Sequence, residues 1–82
     1  MIYMREKVIK ILEDVCETDE IRDNPDVDLF EAGLLDSLGT VSLLLEIETV
    51  FGLVLEPTDV ERSEISSVNS IVALLTSKGV RE

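Results

Sequence analysis

Apolar residues recur along this chain with a helical period. From Ile2 to Glu17, Met4, Val8, Ile11, Leu12 and Val15 fall at i, i+4, i+7, i+8 and i+11. That spacing makes one stripe of an amphipathic helix. Arg5, Glu6, Lys10, Glu13, Asp14 and Glu17 cover the other side. Thr18 to Leu35 has no sustained period, and Asp23-Asn24-Pro25-Asp26 is a turn in which Pro25 blocks helix continuation. Ile21, Val27, Leu29, Phe30, Leu34 and Leu35 are available to anchor this long loop to a core. Loops of such length in small domains often carry function.

A second helix is predicted from Ser37 to Phe51, with Asp36 as N-cap and Gly52 as its stop. On a wheel of about 100° per residue, Leu43, Leu44, Ile47, Val50 and Phe51 form the core face. Ser42, Glu46 and Thr49 are polar. Leu38, Val41 and Leu45 form a second apolar stripe, separated from the first by Ser37 and Glu48. This stripe either packs under another helix or is a docking surface beside Ser37, and periodicity fits both.

Leu53-Val54-Leu55 is briefly extended. Pro57 followed by Thr58-Asp59-Val60-Glu61 has a capping-box pattern, which predicts a short helix. A last helix runs from about Ser67 to Lys78, carrying Val68, Ile71, Val72 and Leu75 inward, with Gly79 as its stop. The expected fold is all-α: a four-helix bundle of three main helices and one short one, with a long first loop. The 82 residues are read as one domain spanning 1–82.

Charge narrows the function. Seven basic against 18 acidic residues give a net charge of −11. Such a chain repels nucleic acid and anionic lipid, so its expected partners are proteins with basic patches. Apolar content of 45% is enough for a core. No segment is long and apolar enough to read as a signal peptide or a membrane span, so direct membrane insertion is not expected. Cys16 is the only cysteine, which fits a reducing, cytoplasmic setting. It sits beside the first stripe and reads as a small buried or half-buried thiol without a reactive role. The acidic stretch Asp26-Val27-Asp28-Leu29-Phe30-Glu31 lacks the third ligand and central glycine of an EF-hand, so no metal site is expected.

An enzyme is not expected. The chain has no histidine, and Ser37 lies in no Gly-x-Ser-x-Gly elbow, so Ser37 has no base of its own. Any reaction at its hydroxyl needs a base from a second protein. As a helix N-terminal residue beside Asp36, it reads either as part of an ordinary capping pair or as a place for a phosphodiester.

Gly33-Leu34-Leu35-Asp36-Ser37-Leu38 resembles the phosphopantetheine attachment motif of the acyl and peptidyl carrier family. A longer match resembles the family's D-alanyl branch. It comprises Asn24-Pro25-Asp26-Val27-Asp28-Leu29-Phe30-Glu31, then Gly39-Thr40-Val41 and Leu43-Leu44-Leu45-Glu46-Ile47-Glu48. Gly39 and Ser42 stand where fatty-acid carriers usually have acidic residues. Two features depart from the branch. Asp59 to Ile65 has no aromatic residue, and Val68 stands where proline is expected.

The resemblance implies an acidic four-helix bundle whose Ser37 bears 4′-phosphopantetheine, installed from coenzyme A by a phosphopantetheinyl transferase. It implies that a D-alanine–carrier-protein ligase loads D-alanine as a thioester. A membrane O-acyltransferase system would then use it to D-alanylate lipoteichoic acid of the cell wall. Asp36 would cap the helix, and Leu38, Val41 and Leu45 would dock partners of a monomeric carrier. The alternatives are a carrier for fatty-acid or secondary-metabolite biosynthesis, and an acidic helical interaction module with no prosthetic group.

Overall fold

The computed structural model describes residues 3–80. Ile2, where the first helix was expected to begin, and both ends of the expected 1–82 domain lie outside them. Three α-helices form: α1 (Met4–Cys16), α2 (Ser37–Phe51) and α3 (Val68–Ser77). No strand occurs among the described residues. The expected helical bundle is what the sequence builds.

The local signals explain the ends. Asp36 and Ser67 cap α2 and α3 by accepting the N–H of Gly39 and Ser70. Gly52 closes α2 in the left-handed region at φ 70°, which glycine adopts without steric cost. Glu17 closes α1 in the same region at φ 54°, although it is not glycine. Its N–H donates to the Glu13 carbonyl.

Met4, Val8, Ile11 and Leu12 are buried as their spacing requires. Ile9 and Leu74 are buried as well, outside the predicted stripes. The reason is that α1 packs against both α2 and α3, so a single narrow stripe does not cover both contacts. Val50 corrects the expected core face of α2, because it is 41% exposed. It lines a shallow surface hollow with Lys7, Lys10, Ile11 and Asp14 on the outer flank of α1.

The short helix is also corrected. Pro57–Asp59 and Arg62–Glu64 form two separate 3-10 turns. Thr58 caps neither. The capping box forms three residues later, between Glu61 and Glu64, with the Glu61 N–H donating to the Glu64 carboxylate at 2.8 Å. Val60 between the turns is extended, at φ −122° and ψ 128°, and packs against the core. A β-branched residue drawn inward in that conformation ends one turn before the next begins.

The loop between α1 and α2 is pinned throughout. Ile21 is buried in a 3-10 turn, Glu20–Asp23. The Leu29 N–H donates to the Ser66 carbonyl at 2.7 Å, and the Leu29 carbonyl accepts from Leu34 and Leu35 N–H at 2.9 and 3.0 Å. Asp28 folds the chain around Leu29 by accepting the N–H of Phe30 and Glu31. Asn69 of α3 takes the Pro25 carbonyl with its backbone N–H and Asp26 with its side-chain amide. The Arg5 guanidinium donates to the Asn69 side-chain oxygen. Arg22 ties the loop to α1 through a two-pronged pair with Glu6, at 2.7 and 2.8 Å, and through Glu13.

Two outcomes follow. Leu29→Ala empties a fully buried site and should lower unfolding free energy by about 2–5 kcal/mol in urea denaturation, a large share of a small domain's stability. The Arg22 hydrogen bond, and then its charge, holds the Glu6 carboxyl below the usual carboxylate range. A depressed native pKa stabilises fully above the ordinary glutamate value and is lost as pH falls through the native one. Arg22→Gln should therefore lower the urea midpoint at about pH 6, and the difference from the wild type should shrink as pH falls through the lowered Glu6 value. The pair is exposed, so the difference is small.

Candidate functional site

The end of the bundle where α2 begins gathers most of the exposed chemistry. Asp36 is extended, and its carboxylate accepts the Gly39 N–H at 2.7 Å. Its carbonyl accepts both the N–H and the hydroxyl of Thr40 at 2.8 Å. Ser37 is thereby fixed as the first residue of α2 and is exposed to solvent. A positive helix end with exposed first-turn amides favours an anionic group at that serine.

Glycine at position 39 allows close packing at the start of α2. A Cβ there would lie 2.9 Å from Leu35 Cδ1 and 3.3 Å from Asp36 Oδ1. The missing side chain lets buried Leu35 and the capping carboxylate sit against the first turn.

An open groove of about 620 Å³ starts at Ser37. Phe30, Leu35, Thr40, Val41, Pro57, Val60, Arg62 and Ile65 complete its lining together with Asp36. The Arg62 guanidinium lies over the Phe30 ring, 4.2 Å from its centre. Thus the loop, the start of α2 and the two 3-10 turns share one site.

The second apolar stripe of α2 is on the surface. Leu38 is 81% exposed, Leu45 58% and Val41 47%. Val54, at 61%, continues the patch, and a hollow of about 130 Å³ lies between Val41, Leu45, Val54 and Pro57. Of the two readings left open by periodicity, packing under another helix does not occur among the described residues.

Cys16 is half-buried. Burial first, and then the negative charge of Asp36, pushes its thiol up. It is a poor nucleophile.

The site can accept and display a group, and it has no means of transferring one. The groove lining holds a carboxylate engaged as a cap, a guanidinium engaged on a ring, and hydroxyls. Among the described residues no three His, Cys, Asp or Glu side chains are placed to hold a metal. No described helix is long and apolar enough to cross a membrane.

A family model described as a phosphopantetheine attachment site matches residues 6–75. The chain belongs to the phosphopantetheine carrier family. Several curated relatives are named D-alanyl carrier protein. A D-alanyl carrier protein of Bacillus velezensis is 44% identical over 72 residues, covering 88% of this chain and 92% of that protein. One of Staphylococcus saprophyticus is 45% identical over 71 residues, covering 87% and 91%. One of Lactococcus lactis is 39% identical over 75 residues, covering 92% and 95%.

As a phosphopantetheine carrier the chain is non-catalytic and its cofactor is covalent 4′-phosphopantetheine. The structure fits that group: an exposed serine at a helix start lines an open groove of about 620 Å³. Membership in the family removes the reading of a module without prosthetic group. A carrier role also implies a phosphopantetheinyl transferase and a ligase as partners.

Sequence reasoning named Asp36, Ser37 and Val41, which do line the groove. It missed Arg62, Pro57 and Val60, and it took Phe30 for a loop anchor alone. One signal was available: Arg62 is the only basic residue between Arg22 and Lys78.

Because Leu38 is so exposed, Leu38→Ser should move the melting midpoint by no more than about 3 °C in a thermal scan. Cys16 in the folded apo-protein should react with iodoacetamide more slowly than in the urea-unfolded chain, since the unfolded thiol is freed from both burial and Asp36.

Proposed function

We propose that Ser37 carries the 4′-phosphopantetheine arm and that the chain holds D-alanine on it as a thioester, for D-alanylation of lipoteichoic acid. Ser37 is the observation on which this rests. It is the exposed first residue of a capped helix and sits at the mouth of the groove. The D-alanyl carrier names of relatives 37–45% identical over most of the chain support the cargo.

Each residue then has a physical task. Asp36 fixes the helix start, so Ser37 meets a transferase in one geometry. The first-turn amides of α2 compensate the phosphodiester charge. The arm supplies the thiol on which the cargo is held as a thioester. Leu38, Val41 and Leu45 offer an apolar contact for partner proteins, and the net charge of −11 steers partners with basic faces toward it.

Those partners are a phosphopantetheinyl transferase, a D-alanine–carrier-protein ligase and a membrane O-acyltransferase system. The carrier works in the cytoplasm as a monomer, with 1–82 as one carrier domain. An acidic carrier does not itself grip a polyanionic acceptor, which agrees with handing the cargo to a separate membrane enzyme.

The test is intact-mass spectrometry after incubation with coenzyme A, magnesium and a phosphopantetheinyl transferase. The wild type should gain one phosphopantetheine and Ser37→Ala none, with the variant folded and destabilised by at most about 1 kcal/mol. A D-alanine ligase should then load the arm with D-alanine. Gain of the arm on Ser37→Ala would refute the site, and exclusive loading by a fatty-acyl ligase would refute the cargo. Leu45→Ser should slow loading by the ligase while leaving the melting midpoint nearly unchanged.

A further inference from the structure

Resting on the reading of Ser37 as the attachment residue, we propose that Arg62 is a positioning residue. Its guanidinium, held on the Phe30 ring, binds the phosphodiester on Ser37 and lays the arm along the groove between α2 and the two 3-10 turns.

Charge makes the first argument. A phosphodiester on Ser37 places a second negative charge next to Asp36, whose carboxylate is already committed to the Gly39 N–H. Two adjacent anions repel, and the net charge of −11 deepens the effect. Arg62 is the one basic side chain that lines the groove with them. The chain has no other lysine or arginine between Arg22 and Lys78.

Geometry makes the second. Arg62 forms no salt bridge and no side-chain hydrogen bond among the described residues, in contrast to Arg22 and Arg5, which are both engaged. Its one partner is the Phe30 ring, at 4.2 Å from the centre. A guanidinium stacked by its face leaves its N–H edge free, and that planar fork matches phosphate oxygens. The stack therefore holds the cation in place while leaving its donors available. It also bridges the first loop to the second 3-10 turn, across the floor formed by Leu35, Val60 and Ile65. An arm drawn toward Arg62 lies over those apolar side chains and not out in solvent.

The test uses phosphorus NMR on the holo forms of the wild type and Arg62→Gln, each verified by intact mass to carry one arm. Arg62 is exposed, so the variant should retain its fold by circular dichroism. At low salt the wild-type signal should stand apart from that of Arg62→Gln, and the difference should shrink as salt rises to about 1 M. The Arg62→Gln signal should change little with salt. The Arg62 Nε–H proton signal should also shift between apo and holo wild type. Coincident phosphorus signals in wild type and Arg62→Gln at low salt, with both proteins bearing the arm, would overturn this proposal and leave the Ser37 reading intact. A wild type that gains no arm would overturn both.

Discussion

The hydrogen bond from the Gly39 N–H to the Asp36 carboxylate decides where α2 begins, and the working end of the molecule depends on that. It makes Ser37 the first helical residue and leaves its hydroxyl in water. Position 39 has no side chain, so Leu35 and the capping carboxylate sit close against the first turn of α2. Leu35 is itself held by its N–H to the Leu29 carbonyl, and Leu29 by its N–H to Ser66 before α3. A chain of contacts thus runs from the base of α3, through the loop, to Ser37 at the start of α2. Hydrogen bonds along the long loop set the position of Ser37.

Electrostatics and exposed apolar surface divide the remaining labour. Four of the seven basic residues, Arg5, Lys7, Lys10 and Arg22, belong to α1 and the start of the loop. Arg22 is spent on Glu6 and Glu13, and Arg5 on Asn69. The α2 end is left acidic apart from Arg62, with an apolar patch of Leu38, Val41, Leu45 and Val54 on its surface. An acidic field attracts a basic partner from a distance, and an apolar patch fixes it on contact. A carrier that must be met by several enzymes in turn benefits from such contacts being broad and weak.

The sequence made α1, α2 and α3 legible because each has a stripe at helical spacing, and α2 and α3 also have a glycine suited to end them. Asp36, Ser67, Gly52 and Gly79 act where they stand, since caps depend on neighbours within a few residues. Legibility ended where structure depends on distant parts of the chain. Ile9 and Leu74 are buried because α1 faces two helices, and Val50 is exposed because α1 turns a lysine-bearing flank toward it. The capping box formed at Glu61 and Glu64, since Val60 is drawn into the core and breaks the run expected from Thr58. The serine was found through a local motif. The groove was not, because it joins Phe30, Val41 and Arg62, which no periodicity connects. The exposure of Leu38, Val41 and Leu45 was likewise undecided until the neighbouring elements were in place.

The central claim is that this serine, and no other, bears the arm. It is tested most directly by protease digestion of the holo-protein and tandem mass spectrometry of the peptide spanning Leu34 to Leu45. The account predicts phosphopantetheine on Ser37 alone, with Ser42 of the same helix unmodified. Modification at Ser42, or on a serine of another segment, would contradict it.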